Sequence, residues 1–81
     1  MKILNEQQLK EDIEIYKSMF PDTYTTFENL MDYLKTDYND GNPGGLIGFE
    51  VSSEWEDKCY GFEYQGNQPD ITYEYVGIVK C

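Results

Sequence analysis

No histidine and no arginine occur in this chain, and its only basic residues are six lysines set against 16 aspartates and glutamates. Without an imidazole there is no Ser-His-Asp triad, no Cys/His dyad and no histidine-ligated zinc. Without arginine there is no arginine finger, and six scattered lysines cannot supply the clustered positive charge that grips nucleic acid. Cysteine is scarce too: Cys59 and Cys81 are too few for a secreted disulfide scaffold and lack the C-x-x-C spacing of structural zinc. No apolar run approaches the ~18 residues of a membrane span, and Met1-Lys2-Ile3-Leu4-Asn5-Glu6 lacks the apolar core of a signal peptide. These absences predict a cytoplasmic protein with reduced thiols and no membrane partner.

What the chain has in quantity is aromatic side chains: eight Tyr, four Phe and one Trp, within an apolar fraction of 40%. A net charge of −10 would suit a disordered acidic tail, but such a tail lacks this aromatic load. The chain therefore folds and wears its charge outside. Its 81 residues make a single domain, 1–81, and a domain of that size buries only about 60–65% of the surface exposed on unfolding.

The spacing of apolar residues changes once, at Asn39-Asp40-Gly41-Asn42-Pro43-Gly44-Gly45. Before it, over about 5–40, the spacing is helical. Asn5 and Gln8 suit a capping box, with Leu4 and Leu9 as a hydrophobic staple. Leu9, Ile13, Tyr16 and Phe20 follow on one face, and Pro21 ends the segment. Thr25 and Glu28 suit a second capping box, Phe27, Leu30, Leu34 and Tyr38 a second stripe, and Gly41 a C′ residue.

After it, over about 46–80, the period is two. Ile47, Phe49, Val51 and Trp55 alternate with Glu50, Ser52, Glu54 and Glu56; Tyr60, Phe62 and Tyr64 flank Glu63; Ile71, Tyr73 and Tyr75 flank Glu74. The expected fold is α+β, ααβββ, with two N-terminal helices packed on one face of a three-stranded antiparallel sheet. At Val76-Gly77-Ile78-Val79 the alternation blurs, which a bulge or a strand covered on both faces would explain. A last hairpin centred on Gly66-Asn67 pairs residues whose numbers sum to about 134, placing Cys59 opposite Tyr75. Cys81 then lies roughly 20 Å away, too far for a disulfide, so two separate thiols are expected.

Metal and catalytic motifs fail on spacing. Counting a calcium loop from Asp37 puts Gly41 at position 5 and Gly48 at position 12, where an EF-hand needs Gly at 6 and Glu at 12. Acid–base carboxylate pairs need a cleft that separates their pKa values, and nothing in this short chain announces one. Gly41, Gly44, Gly45 and Gly48 do not form a phosphate loop. The protein is expected to be no enzyme and to use no cofactor.

The arrangement of acids remains. Glu50, Glu54, Glu56, Glu63 and Glu74 are expected on the sheet face turned away from the helices, beside Asp57, with Lys58 the nearest relief. Glu28 and Asp32 are like charges one helical turn apart, and Asp37 and Asp40 sit where a helix C-terminus favours cations. Residues 1–40 carry nine acids and four lysines, and residues 41–81 seven acids and two lysines, so neither half offsets the other. For a single acid, solubility is explanation enough. The collective pattern suits a basic partner, and alternate carboxylates along a strand, about 6.6–6.8 Å apart, match the scale of successive phosphates.

In small size, acidity and α+β layout across the whole chain, with Glu50, Glu54, Glu56, Asp57, Glu63, Glu74, Asp37 and Asp40 as the carrying residues, the protein resembles phage-encoded inhibitors of bacterial defence and DNA-processing enzymes. These are anti-CRISPR proteins, anti-restriction proteins and uracil-DNA glycosylase inhibitors. The resemblance implies a non-enzymatic inhibitor in a bacterial host cytoplasm, occupying the basic nucleic-acid-binding groove of an enzyme such as a Cas effector and touching no nucleic acid itself. Two alternatives share the chemistry: an immunity protein or antitoxin against a basic toxin, and an adaptor that binds a basic protein segment through exposed Trp55, Tyr60 or Tyr64.

Overall fold

The computed structural model describes residues 1–23, 25–36, 44–66 and 70–81. Along the chain run β1 (Lys2–Leu4), α1 (Glu6–Met19), α2 (Phe27–Thr36), β2 (Gly44–Glu50), β3 (Lys58–Gln65) and β4 (Thr72–Lys80). The expected α+β class with two helices is present, but the sheet has four strands in the order β1-β4-β3-β2 and is mixed. β1 pairs parallel to β4, with Lys2 opposite Thr72 and Leu4 opposite Glu74. Three residues are too few to show a period, and their partner lies at the far end of the chain. Only tertiary pairing makes them a strand.

That pairing redefines the start of α1. Asn5 is left-handed (φ 62°), a conformation asparagine tolerates better than most residues, and its side chain does not cap the helix. Its Nδ2 instead donates to the Tyr75 carbonyl at 3.1 Å, and Gln8 donates to Asp12 Oδ1 at 2.9 Å, so the expected capping box is absent. Nor do Leu4 and Leu9 staple the entry: Leu9 is fully buried, whereas Leu4 sits beside exposed Glu74 on the uncovered sheet face. The cap of α2 lies one residue later than expected. Thr26 Oγ1 accepts from the Asn29 N–H at 3.1 Å, while Thr25 Oγ1 donates to the Glu50 carbonyl at 3.4 Å. Tyr38 and Gly41, the expected ends of that helix, lie outside the described residues.

Leu9, Ile13, Leu30 and Leu34 from the helices meet Val51, Tyr60, Phe62, Tyr64, Ile71, Tyr73 and Tyr75 in one core. Burying tyrosine requires a partner for its hydroxyl. Tyr73 Oη donates to the Leu34 carbonyl at 3.1 Å, and Tyr75 Oη donates to Asp12 Oδ2 at 2.6 Å. Burial, with Asp12 and Tyr16 nearby, pushes the Tyr60 hydroxyl up to about 12; burial and the Asp12 hydrogen bond raise Tyr75 further. Trp55 packs against Tyr16 and Phe20 at centroid distances of 5.1 and 5.6 Å. The exposure expected of Tyr60 and Tyr64 as anchors is thereby corrected, since both are core residues, while Trp55 is half-buried.

Of the two explanations left open for Val76-Gly77-Ile78-Val79, the bulge is the one that forms. Gly61 pairs with Gly77 and Phe62 with Tyr75, leaving Val76 unmatched, and Gly77 takes a φ of 99°. Beyond the bulge Val79 leans over Gly61, where an added Cβ would meet Val79 Cγ1 at 2.6 Å. The pairing also begins later than a turn at Gly66-Asn67 implied, with Gln65 opposite Thr72. Both shifts bring Val79 opposite Cys59 and Cys81 just beyond it, and the two cysteines form a disulfide with a Cα–Cα distance of 5.5 Å. The expectation of two separated thiols is wrong, because it rested on the wrong register.

Candidate functional site: an acid-rimmed groove

The expected acidic sheet face is only partly built. Glu63 and Glu74 face each other across β3 and β4, both exposed, and Glu50 lies opposite Cys59 on that face. Register intersperses them with Leu4, Leu46, Gly48, Gly61 and Val79, so no strand presents two carboxylates at alternate positions. The phosphate-like spacing along a strand is therefore not realised. Glu54, Glu56 and Asp57 do not belong to the sheet at all. β2 ends at Glu50, and residues 51–57 form turns in which Asp57 is left-handed (φ 68°) and its carbonyl accepts from the Cys81 N–H at 3.0 Å. The strand stops because Ser52 turns the chain: its Oγ accepts from the Glu54 N–H at 3.2 Å and its carbonyl from the Trp55 N–H at 3.0 Å. Asp37 and Asp40 lie outside the described residues.

The same turn builds a feature that sequence reasoning missed. Trp55 anchors the 52–55 turn on Tyr16 and Phe20, and Thr23 Oγ1 pins the inter-helix segment to β2 by donating to the Val51 carbonyl at 2.9 Å. Between these walls and α2 opens a groove of about 580 Å³. Phe20, Leu30, Tyr33, Phe49 and Val51 line it with apolar surface, and Tyr33 and Phe49 lie 5.8 Å apart. Asp22, Asp32, Glu50 and Glu54 supply every charge among its described lining residues. Of the acids expected to bind a partner, the groove collects Glu50 and Glu54. It adds Asp22 from the inter-helix turn and Asp32 from α2, which the linear pattern gave no reason to associate.

Such a site can hold a cation against an aromatic and aliphatic floor; its volume falls within the range of about 300–1,000 Å³ usual for ligand pockets. Among the described residues one ion pair forms, Lys10 with Glu6 at 3.6 Å, and Lys10 also lies 4.7 Å above the Phe27 ring. The exposed Glu63–Glu74 pair has no lysine partner among the described ion pairs. No group of three or more His, Cys, Asp or Glu side chains among the described residues converges as a metal site, and no described helix is long and apolar enough to cross a membrane. No family model, curated protein or solved structure matches this chain.

Proposed function

We propose that this protein is a non-enzymatic inhibitor that binds a basic surface of a partner enzyme, the nucleic-acid-binding groove being the target class, as in anti-CRISPR and related anti-defence proteins. The observation that carries the reading is the uncompensated pairing of Glu63 with Glu74, directly opposed and exposed on the uncovered sheet face. Like charges so placed cost stability in the free protein and gain a counterpart when a cationic surface docks. Inhibition is by occupancy, with no chemistry on this chain.

The test is capture of a partner from lysate at low ionic strength, elution by a salt gradient, and assay of the purified pair for nucleic-acid binding. A carboxylate-led complex elutes early in the gradient, and Glu63→Lys/Glu74→Lys weakens it by about tenfold or more. A partner held equally at high salt, or one that still binds its nucleic acid when saturated with this protein, overturns the proposal. An immunity-protein or antitoxin role uses the same interface, and the identity of the captured enzyme separates the two.

A further inference from the structure

The groove lies beside β2, which is the edge strand of the sheet among the described residues, and the two together define a more specific ligand. The Val51 N–H donates to the Lys58 carbonyl, which places the pair Val51 and Lys58 at a hydrogen-bonded position of the β2–β3 ladder. Antiparallel alternation then turns Ile47 and Phe49 toward β3, and leaves the N–H and C=O groups of Leu46, Gly48 and Glu50 pointing to the other side. The Glu50 carbonyl on that side is taken by Thr25. Among the described residues no strand pairs with β2 there. The seven residues Gly44–Glu50 also contain neither the lysine nor the proline with which sheet edges are commonly guarded.

From this geometry, and resting on the charge-led reading above, we infer that the groove and the β2 edge form one receptor for an extended basic segment of the partner protein. The segment adds as a strand beside β2. Its alternate side chains fall on the helix side, over Phe49 and Tyr33, where a Lys or Arg stem lies on the apolar floor and its cationic head meets Asp22 and Glu54. The remaining side chains pass over Leu46 and toward Glu63 on the opposite face. Charge selects the occupant: a second copy of this chain brings a further −10, and nucleic acid has the wrong sign.

The probe is a fluorescein-labelled, N-acetylated nonapeptide of alternating Lys and Val, compared with the same peptide carrying Pro at its three central Val positions, which removes N–H donors without altering charge. Binding is followed by anisotropy with the full chain and with three variants whose folding is checked by circular dichroism. Asp22→Lys/Glu54→Lys and Glu63→Lys/Glu74→Lys change net charge equally; Leu46→Pro removes an outward N–H and leaves the β3 ladder intact. The inference expects the Pro peptide, the groove variant and Leu46→Pro each to weaken binding by about tenfold or more, and the sheet-face variant by less than about threefold. Equal loss in both charge variants, with the Pro peptide unaffected, overturns the receptor and leaves the charge-led function standing. A Lys-Val peptide that fails to bind at low salt also overturns the receptor, and the function above is then judged by the salt gradient alone.

Discussion

Asn5 shows how one residue is committed by contacts far along the chain. It holds a left-handed backbone between β1 and α1 and donates to the Tyr75 carbonyl, 70 residues away. Replacing it by Ala removes the hydrogen bond and puts in the left-handed region a residue that tolerates it less well than asparagine, which together should cost about 2 kcal/mol. Asn5→Gly keeps the backbone easy and loses only the hydrogen bond, so its denaturation midpoint should fall between those of the wild type and Asn5→Ala. A cap role would instead make Ala and Gly differ from the wild type through helix content alone. The buried tyrosines give a second residue-scale expectation. A hydroxyl raised in the folded state stabilises the fold fully below its unfolded value of 10.0 and loses that contribution as pH climbs through about 12 for Tyr60, with Tyr75 higher still. Urea midpoints should therefore hold steady to about pH 10 and fall above it, and Tyr75→Phe should flatten part of that fall.

At the level of elements, a one-residue irregularity in β4 decides which side chains meet. The bulge at Val76 and the late start of pairing bring Cys81 to Cys59 and close a loop spanning a sequence separation of 22. Cross-linking a loop of that size contributes roughly 3 kcal/mol in the chain-entropy account, so reduction, or Cys59→Ser/Cys81→Ser, should lower the denaturation midpoint by a corresponding amount in the folded, oxidised protein's thermal or urea melt. An unchanged midpoint would mean that the bond does not form in solution. The helices and three longer strands were legible because their periods of about 3.6 and 2 are local properties. The blurred parity at residues 76–79 even pointed to a bulge, but parity says nothing about where a turn begins. The register, and with it the disulfide, therefore escaped. β1 escaped for a different reason: Ile3 packs on the core and Lys2 pairs with Thr72 only once β4 exists.

For the whole molecule the dominant quantity is a net charge of −10 with a single ion pair among the described residues. Self-repulsion of that kind is screened by salt, so moderate NaCl should raise the melting temperature while weakening any complex with a basic partner. Glu63→Lys alone converts the opposed Glu63–Glu74 pair into an attractive one and should stabilise the fold by about 0.5–1 kcal/mol, read as a higher melting temperature. The same change should loosen partner binding. A variant that became more stable without losing affinity would remove Glu63 from the interface.

Composition and local spacing determined that this protein has no imidazole or guanidinium chemistry, that it folds in spite of its charge, and that one face of each helix and of the three longer strands turns to the core, because these follow from residue types and their period. Where the acids gather was decided only in three dimensions. Glu54 leaves the sheet because Ser52 turns the chain, and Asp22, Asp32 and Glu50 join it because Thr23 and Thr25 tie the inter-helix segment to the end of β2. Contacts between residues distant in sequence depend on register and turn geometry, and neither is encoded in the periodicity of a single segment.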